Sequence, residues 1–567
     1  MTARMLSFST LHWDGVSLLC LLLLAASPFV LSRIYASYKD SKTQDGTESI
    51  DLSSKRPPTL PYYIPLVDHL IQFITDGSTL LSKASKFCGA GVPVRISLPG
   101  FSSYVVSGPE AITAFFKNTR DLSTTSRGVT VIQNAFGCPA HLAHHFKPRH
   151  SPDGTPDEVE QAIHRGVQTG LSGPQLEILA GKFQIALLEK IEASKHEIGN
   201  DWVDIPDLCD LVQKFVIESV ISTFFGSYMI TLNPNIVEDF LEFNDYIRLL
   251  FMGMPRWLIP KAYNARQRMV DSIQRWQKHA RENCDPSTLG DVDWEPYYGS
   301  KFIRERQDLL TRRGILDEKA RAAENFANLW AANSNSVPAA IWFLIETLRD
   351  DCLKKEVCQR ISSAYLIPKV SEKHESQQPA FDTEKLCNDP LLQSVYAETL
   401  RLRVAALIVR EAAHRDFSFC GWHIKKGEVL TVSSHTEAMN GDVWGVGKDP
   451  SSHSVDKFWS HRFLVNSADP HSGPLLNQKA KKAASRELSF STDGLAGTWI
   501  PYGGGRSLCP GRHFAKREIM LTTAAFLTAY EIDLDPNHIP SVNMSHFGFG
   551  TMPPKGKLSC RIRYLPR

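Results

Sequence analysis

The chain has 567 residues, 43% of them hydrophobic, and a formal net charge of +2 at pH 7. This length is ample for a large apolar core and, taken alone, suggests more than one domain. The near-neutral charge, without a patch of basic and aromatic residues, gives no reason to expect nucleic acid as a partner. The 11 cysteines are odd in number and form no Cys-x-x-Cys pair. We therefore expect free thiols in a reducing compartment rather than a disulfide framework.

An uncharged apolar run lies near the start of the chain. Residues 16–32 read VSLLCLLLLAASPFVLS, which is the length of a short membrane-spanning helix. Arg4 is the only lysine or arginine before this run, whereas basic residues are frequent from Arg33 onward. This bias in positive charge predicts that the C-terminal bulk is cytosolic. A cleaved signal peptide is the alternative, with Ala25-Ala26-Ser27 as its small-residue site. The free cysteines favour the anchor.

The composition after the apolar run divides the rest of the chain. We predict a membrane anchor over 1–35, a polar tether followed by a stiff proline-rich segment over 36–66, and one large domain over 67–567. The proline-rich segment is Arg56–Pro65, whose four prolines restrict the backbone.

The large domain is predicted to be mainly α with small β-sheets. Two β-hairpins are expected, one from 94–98 and 104–107 and the other from 419–424 and 428–432, because each pair of β-forming runs is separated by turn residues. Helical periodicity dominates between them, from 155 to 350. A helical domain that carries small sheets satisfies this order of elements.

One long helical stretch, from Asp317 to Asp350, contains a proline in its interior. Pro338 has no N–H to donate to the carbonyl of Ser334, and its ring crowds that turn, so we expect a local break in the helix. Asn335 and Ser336 lie at this break. The plainest interpretation of such polar residues is that they bond within their own helix.

Two further segments carry charge among apolar residues. Glu398 and Arg401 are three apart on a predicted helix and share one face, although most such pairs are solvated surface pairs. An apolar run, Val404–Val409, follows them and ends at Arg410. The lysines at 479, 481 and 482 most simply form a solvated face, with contact to an electron donor as the alternative.

The most informative segment is Trp499–Arg512, which reads WIPYGGGRSLCPGR. Three consecutive glycines allow tight turns and close approach of the backbone to a flat ligand. Cys509 follows them, and Pro510 suits the first position of a helix predicted over 511–530. A helix N-terminus favours a thiolate, and a thiolate on such a loop can serve as the axial ligand of a haem iron.

These segments together resemble the cytochrome P450 superfamily of haem-thiolate enzymes. The family's cysteine loop, Phe-x-x-Gly-x-Arg-x-Cys-x-Gly, is matched at Gly505, Cys509 and Gly511. Tyr502 replaces the phenylalanine and Ser507 replaces the arginine. The resemblance implies haem b (iron protoporphyrin IX) as cofactor.

The resemblance also implies roles for individual residues. Cys509 would bind the iron; Tyr502, Gly505, Arg506 and Arg410 would contact the haem. Glu398, Arg401 and Arg462, the last in Phe458–Phe463, would form a buried brace for the cysteine loop. Ser336 would relay protons, with Asn335 in place of the usual acid. The proline-rich segment would be the hinge between the anchor and the haem-thiolate catalytic domain, and Phe547-Gly548-Phe549 would line the pocket.

The implied activity is that of a haem-thiolate monooxygenase of the endoplasmic reticulum membrane, single-pass, with a cytosolic catalytic domain. It would oxidise a bulky lipophilic metabolite (a terpenoid, steroid or related secondary metabolite) with dioxygen and electrons from NADPH-cytochrome P450 reductase. The run Trp330–Trp342 resembles the branch that holds sterol 7-alpha/12-alpha-hydroxylases and prostacyclin synthase, and Phe549–Pro554 resembles fungal members. Two alternatives stay open: a reductase-independent isomerase or dehydratase of a peroxide, and a non-catalytic haem- or sterol-binding membrane protein.

Overall fold

The computed structural model describes most of the chain beyond the predicted anchor and tether. The described residues are 55–62, 67–99, 101–143, 166–285, 288–312, 314, 316–366, 380–466, 468–469, 471–476, 488–535 and 538–565. The predicted anchor (1–35) and the three lysines at 479, 481 and 482 lie outside these ranges. Among the described residues, no helix combines the length and apolar character needed to cross a bilayer.

Helices make up most of the regular structure. In chain order they are α1 (Leu70–Phe87), α2 (Pro109–Lys117), α3 (Thr125–Asn134), α4 (Ala140–Ala143), α5 (Gly173–Ala193), α6 (Leu208–Phe225), α7 (Ser227–Thr231), α8 (Ile236–Phe251), α9 (Pro260–Asn283), α10 (Lys301–Arg312), α11 (Glu318–Asn333), α12 (Ser336–Leu348), α13 (Asp351–Ser363), α14 (Thr383–Asn388), α15 (Pro390–Arg403), α16 (Ser434–Ala438) and α17 (Arg512–Ala529).

The strands are short. They are β1 (Val94–Leu98), β2 (Phe101–Val105), β3 (Leu122–Ser123), β4 (Val203–Ile205), β5 (Trp294–Glu295), β6 (Gly299–Ser300), β7 (Tyr365–Leu366), β8 (Ala380–Phe381), β9 (Val404–Ala412), β10 (Phe417–Phe419), β11 (Trp422–Ile424), β12 (Val429–Ser433), β13 (Leu464–Val465), β14 (Ser489–Phe490), β15 (Tyr530–Leu534), β16 (Ser541–Val542), β17 (Phe549–Thr551), β18 (Pro554–Lys555) and β19 (Cys560–Tyr564). The prediction of a mainly helical fold with small sheets is confirmed.

Aspartate side chains set the start of several helices. The side chain that precedes each of α6, α11, α13, α14 and α15 accepts a hydrogen bond from a backbone N–H in the first turn. Such capping satisfies donors that have no partner within the helix. In α15, Pro390 follows the cap, where its missing N–H costs nothing.

The described residues fall into two compact units. The first comprises residues up to Phe115 together with Val409–Val432. In it β1 and β2 form an antiparallel pair, and β12 adds to β2 in parallel. The proline-rich segment joins this sheet as well. The Leu60 N–H donates to the Arg95 carbonyl, and the Arg95 N–H donates to the Pro58 carbonyl. Arg56 donates to Tyr104 and Glu428.

The predicted hairpins are partly correct. The first exists, although its second strand begins at Phe101, three residues before the predicted start. The second is wrong. Strand β11 pairs with β10 rather than with β12. The reason is the turn Cys420-Gly421, in which both residues have left-handed φ angles of +50° and +80°. This is the turn geometry that closes a two-residue hairpin.

The second unit comprises Phe116–Ile408 and Ser433–Arg567 and contains the largest apolar core. Helix α12 lies at its centre, with all 13 of its residues buried. Helix α17 packs along α12, and α15 packs against both. Strand β17 pairs with the Val404–Ala406 end of β9. The candidate site is built from α11, α12, α15, α17 and β17.

Candidate functional site

The cysteine loop turns tightly and then starts a helix. Gly503 and Gly505 have φ angles of +73° and +62°, which favour glycine. The N–H of Cys509 donates to the carbonyl of Tyr502 at 3.1 Å and closes the loop. Helix α17 begins at Arg512, so the predicted helix is confirmed, although Pro510 precedes it instead of occupying its first turn.

Two glycines of this loop allow close packing on Phe116. A Cβ at Gly504 would lie 2.6 Å from Cδ2 of Phe116, and one at Gly505 would collide with the Phe116 carbonyl oxygen. A side chain at either position would push the loop away. Cys509 itself is half-buried, and residues 505–508 are exposed. The loop around Cys509 therefore lies at the surface rather than inside the apolar core.

The surroundings of Cys509 suit a metal-bound thiolate. Burial raises the pKa of its thiol above the ordinary value, although the backbone N–H groups of Gly511 and Arg512 and the charge of Arg512 act to lower it. Among the described residues, no cluster of three His, Cys, Asp or Glu side chains could hold a metal ion. A single thiolate suits a metal whose other ligands come from a macrocycle, as in haem. Haem therefore fits this donor set.

Helix α15 holds the cysteine loop from the side. The indole N–H of Trp499 donates to the Ala397 carbonyl at 3.2 Å, and the hydroxyls of Tyr502 and Tyr396 share a hydrogen bond. Burial raises the pKa of both phenols, so both stay protonated. Tyr502 replaces the family's phenylalanine, and Tyr396 is the partner that this replacement requires.

The predicted brace lies directly beside these contacts. Arg401 donates from Nε to Glu398 Oε2 at 2.7 Å and from Nη2 to Oε1 at 2.8 Å. Arg462 donates from Nε to Glu398 Oε1 at 3.0 Å. All three side chains are at most 1% exposed. The structure thus brings together three residues that are up to 64 positions apart in sequence.

Backbone carbonyls complete this charge cluster. Arg401 Nη1 donates to the carbonyls of Ala438 and Val455, at 2.7 Å each. The Nη atoms of Arg462 reach the carbonyls of Gly445, His453, Ser454 and Lys457. Burial raises the pKa of Glu398, but the two guanidinium groups lower it below its ordinary value. The cluster is therefore ionised and fully hydrogen-bonded, and two of its residues lie on α15, the helix that contacts the cysteine loop.

The predicted helix break is confirmed. Helix α11 ends at Asn333 and α12 begins at Ser336, two residues before Pro338. Ser336 is 7% exposed, and its hydroxyl donates to the Ala332 carbonyl at 3.1 Å. The Glu518 carboxyl on α17 lies near this hydroxyl, but neither of its oxygens has a hydrogen-bond partner among the described residues.

Asn335 contacts a different element from Ser336. Its Oδ1 accepts the N–H of Thr551 at 2.8 Å, and a Cβ at Gly550 would collide with the same oxygen. On α12, Trp342 donates from Nε1 to the carbonyl of Met552, the residue that follows β17, at 2.8 Å. Two side chains of the run Trp330–Trp342 therefore attach β17 to the broken helix.

The C-terminal loop continues into an aromatic wall. Phe549 contacts Phe251, with ring centroids 5.4 Å apart, and Phe251 contacts Trp330 at 5.6 Å. Phe136 joins the cluster beside Trp330 at 5.8 Å. The apolar end of β9 lies alongside the C-terminal loop, because the Gly548 N–H donates to the Ala405 carbonyl at 2.8 Å. These rings come from four separate segments and form an apolar surface next to the helix break.

Arg410 and Arg506 are the other two residues predicted to contact haem. Arg410 belongs to the first unit, is 3% exposed, and donates to the Phe115 carbonyl at 3.2 Å. Burial lowers the pKa of its guanidinium. Arg506 lies exposed in the short turn Gly505–Ser507. Their contact with haem stays a prediction.

The family model described as Cytochrome P450 matches residues 58–560. The chain belongs to the cytochrome P450 family. Haem b is the cofactor of that family, and the match spans every element of the site described above.

The P450 is similar to named fungal enzymes. It is 47% identical over 520 residues to cytochrome P450 monooxygenase fsoE of Humicola fuscoatra, covering 90% of this chain and 88% of that one. It is 43% identical over 557 residues to cytochrome P450 monooxygenase efuG of Hormonema carpetanum, covering 98% of each chain. The enzyme is therefore a cytochrome P450 monooxygenase.

More distant similarities agree with this assignment. Cholesterol 7-alpha-monooxygenase of Cricetulus griseus is 26% identical over 339 residues, which cover 58% of this chain and 59% of that one. A solved structure, retinoic acid bound cyanobacterial CYP120A1, has a TM-score of 0.60 at 16% identity and covers 90% of this P450 and 99% of that chain. This neighbour shows the fold alone.

Two functional-site residues were missed by sequence reasoning. Tyr396 gave no signal, because a tyrosine on a helix is ordinarily core. Glu518 did give one: it lies four residues after Phe514 and four before Thr522 on α17, on the face that the structure buries. An isolated carboxylate in an apolar stripe is rare enough to mark a site.

Proposed function

We propose that this P450 is a membrane-anchored, reductase-dependent monooxygenase that oxidises a bulky lipophilic metabolite of the terpenoid or steroid class, with Cys509 as the iron ligand. The observation that carries the proposal is the cysteine loop. Its glycines pack against Phe116, the backbone N–H groups of Gly511 and Arg512 act to lower the pKa of its thiol, and α15 holds it from the side. Bound haem supplies the activation of dioxygen.

The remaining residues contribute position and protons. The cluster of Glu398, Arg401 and Arg462 fixes the loop, and therefore the thiolate, through Trp499 and Tyr502. Ser336 holds a hydroxyl proton at the helix break. Asn335 orients β17 through the Thr551 amide. Contacts of Arg410 and Arg506 with the haem propionates are proposed from the resemblance to the family alone.

The apolar wall supports a large hydrophobic substrate. Phe136, Phe251, Trp330 and Phe549 present aromatic rings from separate segments, and a pocket of this kind favours ligands that bury much apolar surface. The similarity to a cholesterol 7-alpha-monooxygenase, which by its name acts on a sterol, supports the steroid or terpenoid class.

The membrane anchor is proposed from the uncharged run at 16–32 and from the basic residues that follow it. A cytosolic catalytic domain at the endoplasmic reticulum would meet its reductase there. The free cysteines of the described residues agree with this compartment.

The test is turnover of a defined panel by the full-length protein in yeast microsomes. The panel contains sterols, triterpenes, linear fatty acids and one lipid peroxide, each with and without NADPH and a co-expressed reductase. We expect NADPH- and reductase-dependent hydroxylation of a sterol or triterpene. Preference for fatty acids would contradict the substrate class. Conversion of the peroxide without NADPH would replace the proposal by the isomerase alternative.

The anchor needs its own arm in the same preparation. Carbonate-washed membranes should retain the full chain and release a variant that lacks residues 1–35. Release of both would contradict membrane anchoring without affecting the substrate result.

A further inference from the structure

The strand β17 is short, and its own backbone does not fix its position. It is three residues long and pairs with the start of β9. Phe549, its first residue, lies between Gly548 and Gly550, whose φ angles are +94° and +122°. Glycine restricts the chain little in this region. Contacts from other elements must therefore determine where the Phe549 ring lies in the aromatic wall.

Trp342 supplies one of these contacts at the end of the strand. Its side chain is 1% exposed, and its indole Nε1 donates to the Met552 carbonyl at 2.8 Å. The N–H of Met552 donates to the carbonyl of Arg403, the last residue of α15, at 2.8 Å. Both polar backbone groups of Met552 are thus held, one by α12 and the other by α15. Because a buried carbonyl without a donor is disfavoured, the chain at Met552 follows the position of the indole.

The side chain of Arg403 in turn fixes the indole. Its guanidinium carbon lies 3.9 Å from the centroid of the Trp342 ring, which is a cation–π contact of the kind that strengthens where water is excluded. The same guanidinium donates to the carboxylate of Glu346, which is 1% exposed and follows Trp342 by one turn on α12. Arg403 therefore contacts Met552 through its main chain and Trp342 through its side chain, which closes a ring of three residues.

The attachment by Trp342 complements the one by Asn335. Asn335 accepts the Thr551 N–H at 2.8 Å and lies before Pro338, whereas Trp342 lies after Pro338, within α12. Two adjacent residues at the end of β17 are therefore attached to the two sides of the helix break. A shift of the indole moves Met552 and, through the strand, the Phe549 ring.

We propose that Trp342, held by Arg403, is a positioning residue that determines where Phe549 meets the substrate, and therefore which carbon of the substrate is oxidised. The inference rests on the proposed substrate contact of the aromatic wall. Trp342 acts through the backbone of the strand and not through the iron ligand. We therefore expect substrate affinity and the position of oxidation to depend on its indole N–H, and haem binding to be independent of it.

The test compares two tryptophans that make the same kind of contact. Trp276 on α9 is 0% exposed, donates from Nε1 to the Tyr297 carbonyl at 2.6 Å and packs against Phe225. Trp342→Phe and Trp276→Phe therefore remove the same donor, keep an aromatic ring and leave one carbonyl without its indole partner. Both variants should lose similar thermal stability and keep the wild-type ratio of haem to protein.

The first arm needs no substrate. Hydrogen exchange of the Met552 amide is measured in the full-length, haem-loaded protein. We expect Trp342→Phe to raise this exchange by about five- to tenfold, the worth of one neutral hydrogen bond, and Trp276→Phe to leave it unchanged. Unchanged exchange in Trp342→Phe overturns the attachment. An equal rise in both variants overturns it as well, because it would report a general loosening of the fold.

The second arm measures products and steady-state kinetics with whichever compound of the panel above is turned over best. We expect Trp342→Phe to oxidise a second position of that compound and to lose about tenfold in kcat/KM, mainly through a higher KM. Trp276→Phe should keep the wild-type products, because loss of stability alone does not move the site of oxidation. Wild-type products in Trp342→Phe, or altered products in both variants, overturn the inference.

Arg403→Lys tests the partner of the indole. Its ammonium keeps the positive charge but lacks the planar guanidinium that lies on the ring while it pairs with Glu346. We expect its products to change in the same direction as those of Trp342→Phe. Wild-type products in Arg403→Lys would overturn the part assigned to Arg403.

Phe549→Leu separates this inference from the proposed function. If Phe549→Leu alters the products and Trp342→Phe does not, the aromatic wall keeps its role and the assignment of Trp342 fails. If neither variant alters the products, the proposed substrate contact of the wall fails, and the inference about Trp342 fails with it.

Discussion

Replacing Arg462 by alanine tests whether the buried charge cluster supports the cysteine loop. Arg462 is 0% exposed and donates to Glu398 and to four backbone carbonyls. Its loss would leave part of the Glu398 charge and these carbonyls buried without a partner. Breaking a buried pair in this way costs about 3–5 kcal/mol. Because about 1.4 kcal/mol is a factor of ten in an equilibrium, the unfolded fraction should rise by at least about a hundredfold.

The assay is urea unfolding of the haem-loaded protein, followed by tryptophan fluorescence and by haem absorbance. Arg281→Ala is the matched control, because Arg281 pairs with Glu318 at 3.0 Å but both side chains are about 40% exposed. This control should change stability by no more than about 1 kcal/mol. We expect Arg462→Ala to lose haem first and to unfold at a much lower urea concentration. Equal shifts for the two variants would refute the reasoning.

Three further predictions concern the loop, the helix break and the pH dependence of stability. Gly505→Ala should lower the ratio of bound haem to protein, because its Cβ would collide with Phe116. The control Gly421→Ala has a similar left-handed φ but no atom within 4 Å of the new Cβ, so it should keep the ratio. Equal ratios in the two variants would refute this prediction. Asn335→Ala should raise hydrogen exchange of the β17 amide bonded to its side chain by about five- to tenfold, the worth of one neutral hydrogen bond; unchanged exchange would argue against the anchor. Because the pKa of Glu398 is lowered in the fold, its contribution is present above its ordinary pKa and is lost as pH falls through the folded value. Glu398→Gln should therefore flatten the acid limb of the stability profile, and an unaltered limb would show that Glu398 is not the group responsible.

Local signals in the sequence were sufficient for several elements. The proline at 338 determines where the helix must break, because its missing N–H and its ring act on the preceding turn. The glycines around 503–505 and the start of α17 are equally local. The pairing of Glu398 with Arg401 follows from three-residue spacing on one helix. Each of these features depends on neighbours within a few residues.

Long-range pairings could not be derived in the same way. Strand β12 pairs in parallel with β2, more than 300 residues earlier, so the adjacent strand β11 was wrongly chosen as its partner. The attachment of β17 to Asn335 spans 216 positions, whereas the sequence predicts for Asn335 either a bond within its own helix or, by resemblance, the place of an acid. Likewise, the proline-rich segment joins the sheet through Arg95, although its composition indicated only stiffness.

The closeness of Glu518 to Ser336 has the same origin. Each residue gives only a local signal by itself: Glu518 is a carboxylate on the buried face of a helix, and Ser336 is a serine that bonds to its own helix. Only the packing of α17 along α12 brings them together. Sequence can flag a carboxylate on an apolar face, but the fold decides what that carboxylate meets.

The carbon monoxide difference spectrum of the reduced protein tests the central claim most directly, because it reports the ligand of the iron. We expect the wild type to show the band that is characteristic of thiolate-ligated haem, and Cys509→Ser, at comparable haem content, to lack it and to lose monooxygenase turnover. The same band and the same turnover in Cys509→Ser would contradict the assignment of Cys509 as the iron ligand.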